Sequence, residues 1–197
     1  LSLNHDYLRQ NLSLTTPTAI LSNYGNLYPL KNNAESETIP GAYVQYTFNL
    51  HNHFIAMAGF RVDHSNVYGT FATPRFHVKW VATDFLTLRL SAGKGYRSPH
   101  ALAENNYLLA SGRCLMVDQP LKQEAAWNYG TSTALNIPLF NKTLKLNAEY
   151  YYTHFTNQTV IDYDSNPLEL HIGNLNGKSY SHTFQIDASY PVFRGFE

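Results

Sequence analysis

From Pro40 to Pro99 apolar and polar residues alternate with a period of two, the rhythm of a two-faced β-strand rather than of a helix. Ala42, Val44, Tyr46, Phe48 and Leu50 fall on one side, with Tyr43, Gln45, Thr47 and Asn49 on the other. After His51-Asn52 the apolar side resumes at Phe54, Ala56, Ala58, Phe60 and Val62, opposite Arg61 and Asp63. Phe76, Val78 and Trp80 then alternate with Arg75, His77 and Lys79, and Leu86, Leu88, Leu90 and Ala92 with Thr87, Arg89 and Ser91. The same beat returns at Trp127–Leu135, at Leu144–Thr153 and at Tyr180–Tyr190.

This pattern predicts eight strands: about 3–16, 40–50, 53–64, 70–82, 85–97, 121–137, 144–153 and 180–190. Breakers and turn formers mark a first long loop at 16–39, a second at 98–120 and a third at 157–177 closing on Asn176-Gly177. Ala101–Ala110 predicts a short helix inside the second. His51-Asn52, Thr83-Asp84 and Pro138–Asn141 are short turns, and 65–69 is of intermediate length.

Several of these strands run to about ten to fourteen residues, whereas soluble strands average about five to six. A strand crossing a bilayer needs about nine to eleven. Longer connections follow strands one, three, five and seven, and short turns follow two, four and six. That sorting matches outer-membrane barrels, with brief periplasmic turns and long extracellular loops. It sends strand one outward. The fold class is therefore all-β, an antiparallel up-and-down transmembrane β-barrel, with about eight strands present as part of a larger barrel.

Composition sharpens this picture. Charged residues make up 14% of the 197 residues, against about 25% in soluble domains. Fifteen tyrosines and a mean hydropathy of −0.32 suit strands polar at every second position. No apolar run approaches the roughly eighteen residues of a transmembrane helix. Net charge is zero, and no basic cluster offers the footprint of a nucleic-acid binder. A single cysteine, Cys114, excludes an intrachain disulfide. Aromatics gather near strand ends (Tyr43, Tyr46, Phe76, Trp80, Tyr150–Tyr152, Tyr190), as interfacial girdles do. Leu1-Ser2-Leu3 lacks the basic start and apolar run of a signal peptide. The pattern begins inside a strand and stops at Arg194-Gly195-Phe196-Glu197, just after one, so residues 1–197 are expected to be a partial barrel domain cut from something longer.

Four motifs occur in order: Gly59-Phe60-Arg61-Val62-Asp63, Thr73-Pro74-Arg75, Gly95-Tyr96-Arg97-Ser98-Pro99, and Leu121-Lys122 with Glu124, Trp127, Asn128 and Tyr129. Together they resemble the barrel of TonB-dependent outer-membrane receptors, in particular those of the Bacteroides group. The resemblance covers about 41–190. It implies the outer membrane of a Gram-negative, Bacteroidetes-type cell, a barrel of about twenty-two strands with a plugged lumen, and import of a scarce nutrient (iron-siderophore, cobalamin or glycan). It also implies partners: outer-membrane lipid, the remaining strands, a plug domain that these residues do not include, and the TonB complex acting through that plug.

On that reading the loops 17–39, 98–119 and 157–176 capture ligand. Arg97, His100, Glu104, Asn105, Tyr107 and Arg113 are the expected contacts. Arg75, Lys79, Arg89, Glu124, Asn128 and Glu149 form a polar network on the lumen, where charge is tolerated; on the lipid face it costs about 2–4 kcal/mol at mid-depth. Arg97 has a plainer alternative, an ion pair with a lumenal carboxylate. The histidines show no zinc-protease spacing and no cysteine–histidine cluster, although haem capture by His100 or His171 is conceivable chemistry. Asp162 and Asp164 lack the remaining ligands of a calcium loop. Ser98, His100 and Glu104 form one local nucleophile–base–acid group without an elbow motif, so no enzyme, metal or cofactor is expected. A complete small barrel serving as anchor or adhesin is the rival architecture, because eight strands can close on themselves. A lipocalin-like binder would need a less charged interior.

Overall fold

The computed structural model describes residues 2–12, 33–118 and 120–191. Eight strands pair in the order β1 (Ser2–Leu12), β2 (Asn33–Leu50), β3 (Phe54–Ser65), β4 (Gly69–Thr83), β5 (Leu86–Arg97), β7 (Glu124–Leu139), β8 (Lys142–Thr156) and β11 (Ser179–Ser189). All neighbours are antiparallel. Every predicted strand is present, and several outrun their predicted bounds. Residues 33–39, expected in the first loop, belong to β2; the rest of that loop and the end of the first predicted strand lie outside the described residues. β7 begins at Glu124 rather than Leu121 and runs through Pro138, leaving Phe140-Asn141 as the turn. Both turn residues take positive φ, 48° and 59°, as do His51 and Asn52 at 48° and 60°. Tight reversals of this kind match the right-handed twist of the strands they join.

Register confirms the two faces. The row Phe48, Ala56, Val78, Leu90, Thr131, Tyr150 and Phe184 runs across the sheet. Val44 is 56% exposed, Tyr46 69%, and Phe184 67%. Buried hydrophobics among the described residues are only Ala101, Leu108, Leu170 and Ile172, none of them in this wall. The wall instead buries Glu37, Asp63, Ser65 and Thr73. A sheet that turns its apolar side outward and buries polar groups is inverted relative to a water-soluble protein, and hydrocarbon is the solvent that satisfies it.

The opposite face lines a concavity of about 650 Å³ that includes His77, Lys79, Arg89, Asn128, Glu149 and Tyr151. Gly130 sits in its floor because Tyr151 and Ser91 lie over it. An added Cβ would stand 2.5 Å from Ser91 Oγ and 2.6 Å from the Tyr151 ring. Gly130→Ala should therefore destabilise the wall by about 1–3 kcal/mol through overpacking. A urea midpoint unchanged from wild type would refute the contact.

The two long connections that the sequence left as loops are folded. Residues 98–123 contain α1 (Ala101–Glu104), a 3-10 turn (Asn106–Ser111) and β6 (Cys114–Val117); residues 157–178 contain β9 (Thr159–Asp162) and β10 (Glu169–Asn174). The predicted helix is thus one turn followed by a 3-10 segment that ends at Gly112 in the left-handed region. β6 pairs parallel with β10, which pairs antiparallel with β9. Leu108, Leu170, Ile172 and Ala101 form the core of this loop module, with Leu115, Val117, Leu121 and Ile161 around it.

Candidate functional site

Several of the motif residues, Asp63, Tyr96, Arg97, Ser98 and Glu124, assemble where the wall meets the loop module. The ladder between β4 and β5 runs from Thr83–Leu86, through a register shift beyond Val81–Thr87, up to Arg75–Gly93, while β4 continues along β3 to Gly69 and β5 along β7 to Arg97. Tyr96 sits where the strands part. Its ring centroid lies 3.8 Å from that of Phe71, and its hydroxyl donates to Asp63 at 3.2 Å. Arg61 Nε donates to both Asp63 oxygens at 2.8 Å. Asp63 directly faces Gly41 on β2, where a Cβ would lie only 1.7 Å from its Oδ1.

A second buried acid lies nearby. Glu37 Oε1 accepts from Ser65 Oγ at 2.5 Å and from Ser98 Oγ at 3.0 Å, and its Oε2 lies 4.0 Å from His100 Nε2. Ser65 Oγ in turn accepts the backbone N–H groups of Val67 and Tyr68. Tyr68 closes the group by donating its hydroxyl to Pro99 O at 3.3 Å. The start of the 98–123 segment is therefore pinned to the 66–68 turn and to β2.

At the rim between β5 and β7, Arg97 donates to Glu124 at 2.7 and 3.1 Å and lies 3.6 Å from Glu104. Glu124 also accepts the backbone N–H of Thr159 at 2.6 Å, fixing the start of β9. Asn174 accepts from Lys122 N and donates to Lys122 O and Asn157 O, joining the two connections at their base.

The six expected ligand contacts divide accordingly. Arg97 and Glu104 meet one another beside Glu124, and His100 turns inward to Glu37. Asn105 donates to Ala101 O at 2.9 Å, closing α1. Tyr107 and Arg113 converge on a residue that sequence reading did not single out: Tyr163, whose hydroxyl is 3.4 Å from that of Tyr107 and whose carbonyl accepts from Arg113 Nη1 at 3.0 Å. Tyr107 is 60% exposed.

The six polar residues assigned to the lumen lie on one face but do not form one bonded network. Lys79 and Arg89 are cross-strand neighbours, and Arg75 faces Gly93. Asn128 donates to Thr153 at 2.7 Å, and Glu149 accepts from Tyr151 at 3.3 Å. Glu124 belongs to the rim pair with Arg97. Ser98 and His100 both point to Glu37, whereas Glu104 turns to Arg97, so the three do not line up as nucleophile, base and orienting acid.

Between β9 and β10, Asp162 accepts from the Ser165 hydroxyl and from the N–H groups of Ser165 (3.0 Å) and Asp164 (2.9 Å). The Ser165 hydroxyl and these N–H groups hold its carboxyl down to about 2. A lowered value stabilises the folded turn above the ordinary carboxylate range, and the gain is lost as pH falls through about 2. A carboxyl NMR titration of Asp162 should show that low midpoint; one at about 3.8 would refute the bonding.

With this geometry in view, the comparisons are decisive on family. The profile described as TonB dependent receptor-like, beta-barrel, matches residues 1–196. The chain belongs to that family. Its barrels are outer-membrane receptors and not enzymes. Among solved structures, the ferric enterobactin receptor PfeA of Pseudomonas aeruginosa superposes with a TM-score of 0.71 at 16% identity, over 98% of this chain and 31% of that one. The FrpB iron transporter of Neisseria meningitidis gives 0.65 at 18% identity, over 95% and 31%. The siderophore receptor PirA of Acinetobacter baumannii gives 0.62 at 13%, over 83% and 27%. This chain thus spans under a third of the length of each. No curated protein sequence matches it.

Proposed function

We propose that these residues are part of the wall and two of the ligand-capturing loops of a receptor importing a scarce nutrient, in a Bacteroidetes-type outer membrane. The 22-strand barrel would be completed by other strands, and a plug would couple it to TonB. The observation carrying this reading is the loop module. Two long connections spend a hydrophobic core and a three-stranded sheet on holding Tyr107, Tyr163 and Arg113 together at one edge of the wall. An anchor needs no such presentation, and β1 and β11 each have one sheet neighbour among the described residues, which favours a larger barrel over a closed small one.

Paired aromatic hydroxyls beside a guanidinium suit an anionic, ring-bearing ligand. A ferric catecholate siderophore fits that chemistry better than cobalamin or a neutral glycan. Detergent-solubilised receptor should bind a ferric catecholate siderophore, and Tyr107→Ala together with Arg113→Ala should weaken binding at least about tenfold. Equal binding by the double variant would remove the loop tip from the site, and binding of cobalamin or oligosaccharide alone would replace the ligand class.

A further inference from the structure

We propose that the lipid face of the wall carries, at the end beside the loop module, a docking site for one lipid with a phosphate-bearing headgroup, formed by Lys94 and His154 on either side of Trp127. Unbroken register puts Lys94 opposite Trp127, Trp127 opposite His154, and His154 opposite Tyr180. This row lies two and four residues along each strand from the rows of Tyr129 and Tyr152 and of Thr131 and Tyr150, so it shares their outward face. At the other end of the same face Lys142 stands opposite Leu139. Twelve residues of β7 separate Trp127 from Leu139, about 30 Å of height at a strand tilt of about 40°. The apolar band of such a barrel is about 25 Å tall, so the Lys94 row stands at the level of lipid headgroups. That leaflet is the outer one if the loop module faces outward, and the inference rests on that proposed orientation.

Two features make this row more than a girdle. Lys94 and His154 are half-buried, and among the described residues neither has a hydrogen bond or ion pair. His182, one row deeper, is engaged: its Nδ1 lies 2.7 Å from the Tyr150 hydroxyl, and its ring centroid is 5.0 Å from that of Tyr152. Trp127 stacks on Tyr129 at 6.0 Å and 10°, and Tyr129 on Tyr152 at 6.4 Å and 20°. The ground beneath the two basic residues is therefore fixed. Strands about 4.8 Å apart set the Lys94 and His154 backbones about 10 Å apart, a gap that a lysine and an imidazole can close around one phosphate group.

Charge selects the occupant. From the Lys94 row down to Leu139, the outward positions of β5, β7, β8 and β11 include no aspartate or glutamate. A cation turned toward lipid without a protein partner needs an anion from the membrane, and at this depth the anions are headgroup phosphates. Acyl chains of the same lipid would lie along the apolar rows below.

The test is native mass spectrometry of the full receptor released from detergent micelles carrying monophosphoryl lipid A, with the dephosphorylated lipid as control. One phosphorylated lipid should stay bound per receptor, and the phosphate-free lipid should bind at least about tenfold more weakly. Lys94→Gln should weaken binding about fivefold, and Lys94→Gln with His154→Gln at least about tenfold. Lys145→Gln, on the opposite face of β8, should change nothing. Equal binding of the two lipids, wild-type binding by the double variant, or an equal loss in Lys145→Gln would overturn the site. Release of the lipid by inorganic phosphate would overturn it too, since a free anion would then be a sufficient occupant. Unchanged β-sheet circular dichroism verifies that the variants are folded. Lipid retention is read without nutrient, so its failure and a failed siderophore titration are separate results.

Discussion

Gly41→Ala should disrupt the loop edge of the wall more than any other single methyl added to it. The new Cβ would fall 1.7 Å from Asp63 Oδ1 and 2.9 Å from its Cγ. Asp63 cannot retreat into water, because its side chain is fully buried. Displacing it breaks two bonds from Arg61 and one from Tyr96. Breaking a buried pair costs about 3–5 kcal/mol; the value here belongs at the lower end, since the Arg61 side chain is 24% exposed and finds some water. Asp63→Ala should cost a similar amount, and the double variant little more than either, because the alanine at 41 then has room. Urea midpoints in detergent measure all three. Strict additivity would show that Gly41 and Asp63 act separately and would sink the explanation.

Ile172→Ala is the second large effect, with a different reach. Ile172 is 0% exposed at the centre of the loop module. Removing such a side chain costs about 2–5 kcal/mol, through lost transfer free energy and the cavity left behind. The module has few other buried groups, so the loss should melt it locally while the wall remains intact. Hydrogen exchange should rise in β6, β9 and β10 and stay slow in β3, β4 and β5. If all strands lost protection together, module and wall would be one cooperative unit.

Much of this fold was legible because a membrane wall writes a plain pattern. Alternation at Val44, Tyr46 and Phe48 or at Leu144, Leu146 and Ala148 needs no tertiary knowledge, since every outward position meets the same solvent. The loop module was not legible. Its strands are short, Cys114–Val117 and Thr159–Asp162 have four residues each, and β6 pairs with a partner far along the chain. Four residues carry too little periodicity to separate strand from coil. Glu37 was missed for a related reason: Pro40 and the breakers before it disguised the first turn of β2 as loop. Gly59-Phe60-Arg61-Val62-Asp63 was noticed as a motif, but its use, a buried carboxylate against a glycine on the next strand, needed the register of β2 against β3. Tyr163 became visible only once β9 and β10 were placed.

The parallel pairing of β6 with β10 also bears on how such receptors can be re-engineered or can diverge. The hairpin of β7 and β8 serves as the crossover between the two paired strands, a role usually filled by a helix. Exchanging residues 98–123 alone would hand β10 a stranger for a neighbour and leave the small core half native. The smallest transferable cassette is therefore 98–178, wall hairpin included, so that segments on opposite sides of a hairpin must be inherited as one.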